Sequence, residues 1–380
     1  MKNDHDPNQC VVTAPEVCHA LWISRDTLYA YVSRGLLRSA AHPSDGRKSL
    51  YDRRDVQVLA ERKQRGRSRR AVAESTFNWG EPVLTSKITR IADGMFYYRG
   101  VNAVELSRTA SLEEAFALLT GAPSKLGKLP AGFAVPSQAL PFNRVLSTMA
   151  SEATAGPTSD GRPRAAQLLR LGVVSAAGVV NAEPGLPAHE LLGRAWSNNP
   201  QAPDLIRRAL VLSADHELNA SAYTARVAAS AGASLPAALL AGMAALSGNK
   251  HGGLTSDCRD WTERMAGELS AEWRAQYALD GKAAPGFGHP LYPNGDPRTE
   301  EILSLFLESP KWHGLAAQVL SETGVHPTLD FGLALLEREL GLPEGAGMGI
   351  FAVGRIAGWI AHIFEQRLTG QLIRPRAAEG

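Results

Sequence analysis

The stretch "PGFGHPLYPNGDPR", residues 285–298, holds three glycines and four prolines in fourteen positions. That density breaks any regular helix or strand and predicts a loop with a fixed backbone path. Set into the loop are one imidazole, His289, and one guanidinium, Arg298. A segment of this composition spends its sequence on aiming side chains, so the rest of the chain is read for groups that could meet them.

From about residue 80 onward the pattern is almost wholly helical. Ala- and Leu-rich stretches such as "SLEEAFALLTG" (111–121), "AAQLLRLGVVSAAGVV" (165–180) and "SLPAALLAGMAAL" (234–246) are punctuated by Gly, Pro and Ser. None shows the strict alternation of a half-buried strand. One β-like piece is expected at "SKITRIADGMFYYRG" (86–100), with Gly94 turning a short hairpin. The segment 121–163 reads as loops between short helices, and no fixed-period repeat is visible.

Polar residues in this helical body gather in five places. His216 lies in "LSADHELNAS" (212–221) and His251 in "SGNKHGG" (247–253), where two glycines are expected to bring the backbone close to a ligand. His289 and Arg298 lie in the opening loop. Asp330 follows Pro327 in "HPTLDFG" (326–332). Arg355 lies in "FAVGRIAGWIAHIFEQ" (351–366), and Arg374 in the terminal "LIRPR". Each by itself is weak, because a lone His or Asp on a helix is usually structural. An Arg355 among the polar positions of a helix facing a core through Ile356, Ile360 and Ile363 is the plain alternative. Their co-occurrence in this order is the signal.

Composition sets the frame. Hydrophobic residues make up 44% of 380 and charged residues 21%, ordinary values for a globular protein long enough for two or three domains. Cys10, Cys18 and Cys258 form no CxxC pair, which argues against a disulfide framework or zinc knuckle and fits a reducing, cytoplasmic setting. The polar start "MKNDHDPNQC" is not expected to act as a signal peptide, and no membrane span is expected. The net charge of +2 hides an asymmetry: residues 1–80 carry 14 Lys and Arg against 9 Asp and Glu, the remainder 26 against 29. A small basic piece joined to a mildly acidic body suggests two jobs.

In the basic piece, Thr13 and Glu16 are spaced as a capping box. Ser24 is placed to cap "SRDTLYAYVSR" (24–34), with Ile23 and Leu28 as a staple and Gly35 as the helix end. "AHPSDGRKSLYDR" (41–53) suits a two-stranded wing, and Asp52 is placed to cap "RRDVQVLAERK" (53–63), whose apolar stripe is Val56 and Leu59. Residues 11–63 resemble a winged helix-turn-helix of the MerR/excisionase type. In such a module Arg25, Thr27, Tyr31 and Arg34 are candidates for the major groove, and Arg47 and Lys48 for phosphates. A solvated basic face on a docking module is the bland alternative. "ERKQRGRSRR" (61–70) reads as a charged linker. The expected division is a module at 1–65, a basic linker at 66–82 and a body at 83–380.

The ordered set in the body resembles the citrate synthase family. "GFGH…DPR" looks like that family's loop, "SADHELNAS" like its HxDHExNAS helix, and "KHGG" like its LHGG turn. Residues 86–121 resemble its entry segment, so the resemblance runs from about residue 83 to the C-terminus. It implies a mainly α fold with an all-helical large and small domain, the small one at about 212–325. It also implies a Claisen-type condensation of acetyl-CoA with oxaloacetate to give citrate and CoA. In that scheme Asp330 is the base, His251 stabilises the enolate oxygen, and His289 polarises the ketone. His216, Arg298 and Arg355 bind the oxo acid, and Arg374 reaches the site of a partner subunit in a homodimer. Coenzyme A thioester is a co-substrate, and no metal or other cofactor is implied; His216, His251 and His289 follow no metal-binding spacing.

Three positions depart from the family pattern. Ser213 stands where the family commonly has His, and Pro290 and Pro293 replace basic residues of the loop. These changes leave two alternatives open: a 2-methylcitrate synthase using propionyl-CoA, or a DNA-binding regulator that keeps the body as a ligand sensor.

Overall fold

The computed structural model describes residues 11–65, apart from 22, 35, 43 and 44, and residues 84–375, apart from 156–160, 180–182, 184 and 266–267. The linker expected at 66–82 and the helix end expected at Gly35 lie outside the described residues. The chain divides into two units, Met1–Thr85 and Ser86–Gly380.

In the first unit, β1 (Val11–Thr13) runs straight into α1 (Ala14–Leu21). Glu16 accepts from both the backbone and the hydroxyl of Thr13 at 2.7 and 2.8 Å, one half of the expected capping box. Helix α2 (Arg25–Ser33) starts at Ser24, whose Oγ accepts from the Thr27 amide at 3.2 Å. A hairpin of β2 (Ser39–His42) and β3 (Asp45–Asp52) follows, then α3 (Arg53–Arg65). The two strands expected at 41–53 belong to a three-stranded sheet, because β1 pairs with the other edge of β3. Asp52, directly before α3, pairs with Arg38 at 2.9 Å. Val17, Leu21, Leu28, Leu37, Tyr51 and Val56 close a small core of their own, with Ile23 and Leu59 against it.

The second unit opens on an antiparallel sheet of β4 (Thr89–Ala92), β5 (Met95–Tyr98) and β6 (Val101–Asn102). Asp93 and Gly94 form the two-residue turn between β4 and β5, both at positive φ (52° and 72°), the backbone that matches the twist of a tight hairpin. Helices then follow: α4 (Ala103–Thr109), α5 (Leu112–Thr120), α6 (Pro141–Thr154), α7 (Arg162–Ala177), α8 (Ala188–Trp196), α9 (Ala202–Leu212), α10 (Ala220–Ser230) and α11 (Leu235–Leu246). After these come α12 (Leu254–Met265), α13 (Ala271–Asp280), α14 (Pro297–Leu303), α15 (Pro310–Thr323), α16 (Leu329–Glu339) and α17 (Ala346–Thr369). In the segment 121–163, read as loops between short helices, α6 runs for fourteen residues. Pro141 at its first turn supplies the start that no polar cap marks.

Helix α17 is the centre of this unit, packed by α5, α6, α7, α9, α10, α11, α12 and α16. It is buried without a break from Ala346 to Ile363. By length and mean hydropathy (1.4 over its apolar window) it could cross a membrane, but 94% of that window is buried inside the fold, so it reads as a core helix. Arg355 therefore does not lie on a polar stripe of α17: it is 1% exposed.

Two glycines one turn apart let the 210–215 segment lie on α17. A Cβ on Gly354 would meet the Leu210 carbonyl at 2.7 Å, and one on Gly358 would meet Asp215 Oδ1 at 2.3 Å and the Ala214 carbonyl at 2.5 Å. The Gly358 amide donates to that same Ala214 carbonyl at 2.9 Å. On the opposite side the Tyr98 hydroxyl donates to the Val211 carbonyl at 2.9 Å. The backbone leading to His216 is thus clamped between β5 and α17. Gly358→Ala should lower the midpoint of chemical unfolding. The overlap is with backbone and costs about 1–3 kcal/mol, against a gain of about 1 kcal/mol in helix propensity. An unchanged or higher midpoint would contradict this packing.

Candidate active site

Asp330 sits in the first turn of α16 with its carboxylate held by two hydroxyls. Thr255 Oγ1, on α12, donates to Oδ1 at 2.6 Å, and Thr328 Oγ1 donates to Oδ2 at 3.2 Å. Burial raises its pKa, and the Thr255 hydrogen bond and nearby Arg298 only partly offset that. A carboxylate in such a setting is a stronger base than one in water.

The opening loop is tied to the chain just before Asp330. Gly288 N–H donates to the His326 carbonyl at 2.9 Å, and Thr328 N–H to the Gly286 carbonyl at 2.8 Å. Gly286 is required twice over: its φ is +81°, and a Cβ there would sit 2.4 Å from the Cys258 sulfur. The His289 loop and the Asp330 helix are therefore one assembly.

Beyond His289 the loop makes two consecutive turns. Tyr292 N–H donates to the His289 carbonyl at 2.9 Å, and Gly295 N–H to the Tyr292 carbonyl at 3.2 Å. Pro290 and Pro293 each take the second position of a turn, where a preset φ is favoured. The two prolines that cost the loop its positive charges thus fix its path.

The Leu291 amide donates to His289 Nδ1 at 3.2 Å, so a neutral ring carries its proton on Nε2. Burial, then Arg298, lowers the His289 pKa to about 4, which keeps the ring neutral near pH 7. His216 is 6% exposed, with Nε2 2.8 Å from the Tyr292 hydroxyl and its ring 5.2 Å from that of His289. Burial, then Arg298, His289 and Arg355, holds its pKa well below the usual value.

His251 follows α11 in a tight turn. Burial, then Arg355, lowers its pKa to about 4. Its Nε2 lies 2.8 Å from Ser221 Oγ, which also accepts from Trp359 Nε1 at 3.2 Å and lies 2.7 Å from Asn219 Oδ1. With the one Ser221 proton given to Nε2, a neutral ring carries its own proton on Nδ1. The two glycines after His251 have a packing reason of their own. A Cβ on Gly252 would meet Leu246, and one on Gly253 the Ser247 carbonyl, each at 2.7 Å. They let the turn fold back over the end of α11, which aims His251.

The two buried arginines differ in their partners. Arg298 is gripped by Asp296 at 2.9 and 2.7 Å; burial opposes its charge, but Asp296 outweighs burial and raises its pKa. Asp296 also accepts from the Arg298 amide, as the N-cap of α14. Arg355 Nε donates to the Ser213 carbonyl at 2.9 Å, its Cζ lies 4.9 Å from the Phe351 ring centroid, and its buried Nη2 has no hydrogen-bond partner among the described residues. Burial lowers its pKa to about 10. A buried donor of this kind is expensive unless something arrives to meet it. Ser213 Oγ, fully buried, likewise has no partner among the described residues.

Electrostatic coupling joins these groups into one site: Arg298 acts on His216, His289, Asp330 and Arg355, and Arg355 acts on His216 and His251. Arg374 is not among them; it lies exposed on the tail after α17, where Ile373 N–H bonds Ser230 Oγ at 3.0 Å. Among the described residues no group of three or more His, Cys, Asp or Glu is arranged to hold a metal ion. Sequence reasoning missed Tyr292, Thr255, Ser221 and Asp296. Only Asp296, an acidic residue directly before a Pro that opens a helix, carried a legible signal.

This arrangement can take a proton from an activated carbon, donate hydrogen bonds to two oxygens, and bind an anion. Residues 145–376 match the family model described as citrate synthase, C-terminal domain. The chain belongs to the citrate synthase family. The protein is 35% identical over 190 residues to citrate synthase 2 of Bacillus subtilis, covering 47% of this chain and 51% of that one. It is 32% identical over 206 residues to 2-methylcitrate synthase 2 of Corynebacterium glutamicum, covering 50% and 54%. The chain spans about half the length of the curated relatives it matches. The fold is that of citrate synthase from Thermotoga maritima (TM-score 0.64, 22% identity, 79% of this chain and 94% of that one). It also matches the Thermoplasma acidophilum citrate synthase in its ternary complex with carboxymethyl coenzyme A and oxaloacetate (TM-score 0.65, 21% identity, 78% and 93%).

Proposed function

We propose that this protein is an enzyme that condenses acetyl-CoA with oxaloacetate to give citrate and free CoA. The observation that carries the reading is the pairing of a buried carboxylate of raised pKa, Asp330, with two imidazoles held neutral, His251 and His289. Asp330 removes a proton from the thioester methyl, and His251 donates to the developing enolate oxygen. The enolate carbon attacks the ketone of the oxo acid, which His289 polarises through its Nε2 proton. Water then cleaves the thioester and releases CoA. Arg298 and Arg355 hold the carboxylates, and His216 hydrogen-bonds the same molecule. In a homodimer, Arg374 of each exposed tail reaches the other subunit's site.

Thiol release tests the proposal. Full-length protein mixed with acetyl-CoA is expected to liberate CoA only when oxaloacetate is added, and the absence of such release overturns it. Propionyl-CoA in the same assay tests the 2-methylcitrate alternative, which relatives of that name support. One methylene changes discrimination by only about 1–3 kcal/mol, so the ratio of rates is the deciding quantity.

The N-terminal unit supports a second role, a winged helix-turn-helix of the MerR/excisionase type that contacts DNA. Arg25 and Arg34 are exposed on and just after α2, and Lys48 is exposed on β3, where it pairs with Asp45 at 3.2 Å. Thr27 is half-buried, and Tyr31 packs partly into the unit's core while Tyr29 stands 60% exposed. The side chain of Arg47 lies outside the described residues. Salt-sensitive DNA binding altered by an acyl-CoA, with no turnover, would favour the regulator reading over the enzyme.

A further inference from the structure

Tyr292 has no part in the scheme above, yet it joins three of its members. It is 2% exposed, and its hydroxyl lies 2.8 Å from His216 Nε2. Its ring centroid is 5.2 Å from that of His289 and 5.5 Å from the Arg298 guanidinium carbon. Its backbone closes the first proline turn and opens the second, so both of its peptide groups are fixed.

The direction of the Tyr292–His216 hydrogen bond follows from what each partner can offer. Burial raises the phenol pKa, so the hydroxyl keeps its proton, and a buried proton without an acceptor is costly. Among the described residues the acceptor found for it is His216 Nε2. If His216 donated instead, the hydroxyl proton would be stranded. A neutral imidazole that accepts at Nε2 carries its own proton at Nδ1.

We propose that Tyr292 is a positioning residue of the oxo-acid site: its hydroxyl donates to His216 Nε2, fixes that ring as the Nδ1–H tautomer, and so sets which nitrogen donates to the substrate. The kinetic consequence rests on the condensation proposed above; the tautomer does not. The two consecutive turns, each with proline in second place, are what hold the phenol at this address. Pro290 and Pro293 then serve substrate binding indirectly, through Tyr292.

The test uses full-length protein labelled with 15N-histidine and read by long-range 1H–15N spectra, His216 being assigned by its loss in His216→Gln. The wild type is expected to show His216 as the Nδ1–H tautomer. Tyr292→Phe keeps the ring contacts and removes only the donor, so it should yield mixed or Nε2–H tautomers. A hydroxyl that donates to Nε2 favours the neutral ring, so its loss should also raise the His216 pKa. In the thiol assay the same variant should raise KM for oxaloacetate about tenfold with a smaller fall in kcat. An Nε2–H tautomer in the wild type, or an unchanged tautomer in the variant, overturns the proposal. So does a variant that loses only thermal stability. If the wild type catalyses no condensation, the functional reading fails, and the spectra still decide the tautomer.

Discussion

Asp330→Asn should reduce oxaloacetate-dependent CoA release by at least about 10²–10⁴-fold, the usual worth of a general base, while the protein melts no lower than wild type. The amide is nearly the same size, and its oxygen can still accept from Thr255, so the fold has little reason to change. The sign of the stability effect follows from the raised pKa. A carboxyl whose folded pKa lies above its unfolded one supports the fold fully below the unfolded value, about 3.9. That support is lost as pH rises through the folded value. Near pH 7 the ionised Asp330 therefore works against folding, and a neutral amide relieves this. In the wild type, kcat/KM should fall on acidification at a pH above the ordinary Asp range. Release rates and melting curves on the two proteins check both halves. Activity surviving in Asp330→Asn would remove Asp330 as the base.

Arg355→Met should weaken oxaloacetate binding on the order of 10²-fold or more, from the roughly 2–5 kcal/mol lost when one partner of a buried charged contact is removed. Thermal stability should hold or increase. Arg355 is 1% exposed, its Nη2 has no hydrogen-bond partner among the described residues, and burial has already lowered its pKa to about 10. A buried charge of that kind costs the empty protein stability, and an apolar side chain of similar length can replace its packing. The lost bond to the Ser213 carbonyl subtracts from that gain. Calorimetric titration with oxaloacetate and melting of the unliganded protein separate the two effects. A variant that binds normally but melts much lower would make Arg355 a structural residue.

The helical body was legible because its sequence repeats the same local rules: caps, apolar stripes and Gly or Pro stops. The hairpin at 86–100 was equally legible, since Asp93-Gly94 admits the positive φ that a two-residue turn needs. The order of His216, His251, His289, Arg298, Asp330 and Arg355 marked the candidate site, because that ordered set resembles the citrate synthase family while each residue by itself is weak evidence. What α17 does could not be read locally. Its apolar periodicity left room for a polar stripe through Arg355, and only packing by eight neighbouring helices shows that it has none.

The same distinction holds at single residues. Sequence by itself determined which backbone positions need glycine or proline, and which side chains carry charge. It did not determine that Gly252 and Gly253 face the end of α11, that Gly358 faces Asp215, or that Tyr292 meets His216 across 76 positions of chain. Protonation was decided later still. A histidine reads the same in sequence whether neutral or charged; burial beside Arg298 and Arg355 is what keeps these three neutral. Desolvation and like charge act through space, so only the tertiary structure could turn six ordered residues into one buried carboxyl of raised pKa, three neutral rings and two buried arginines.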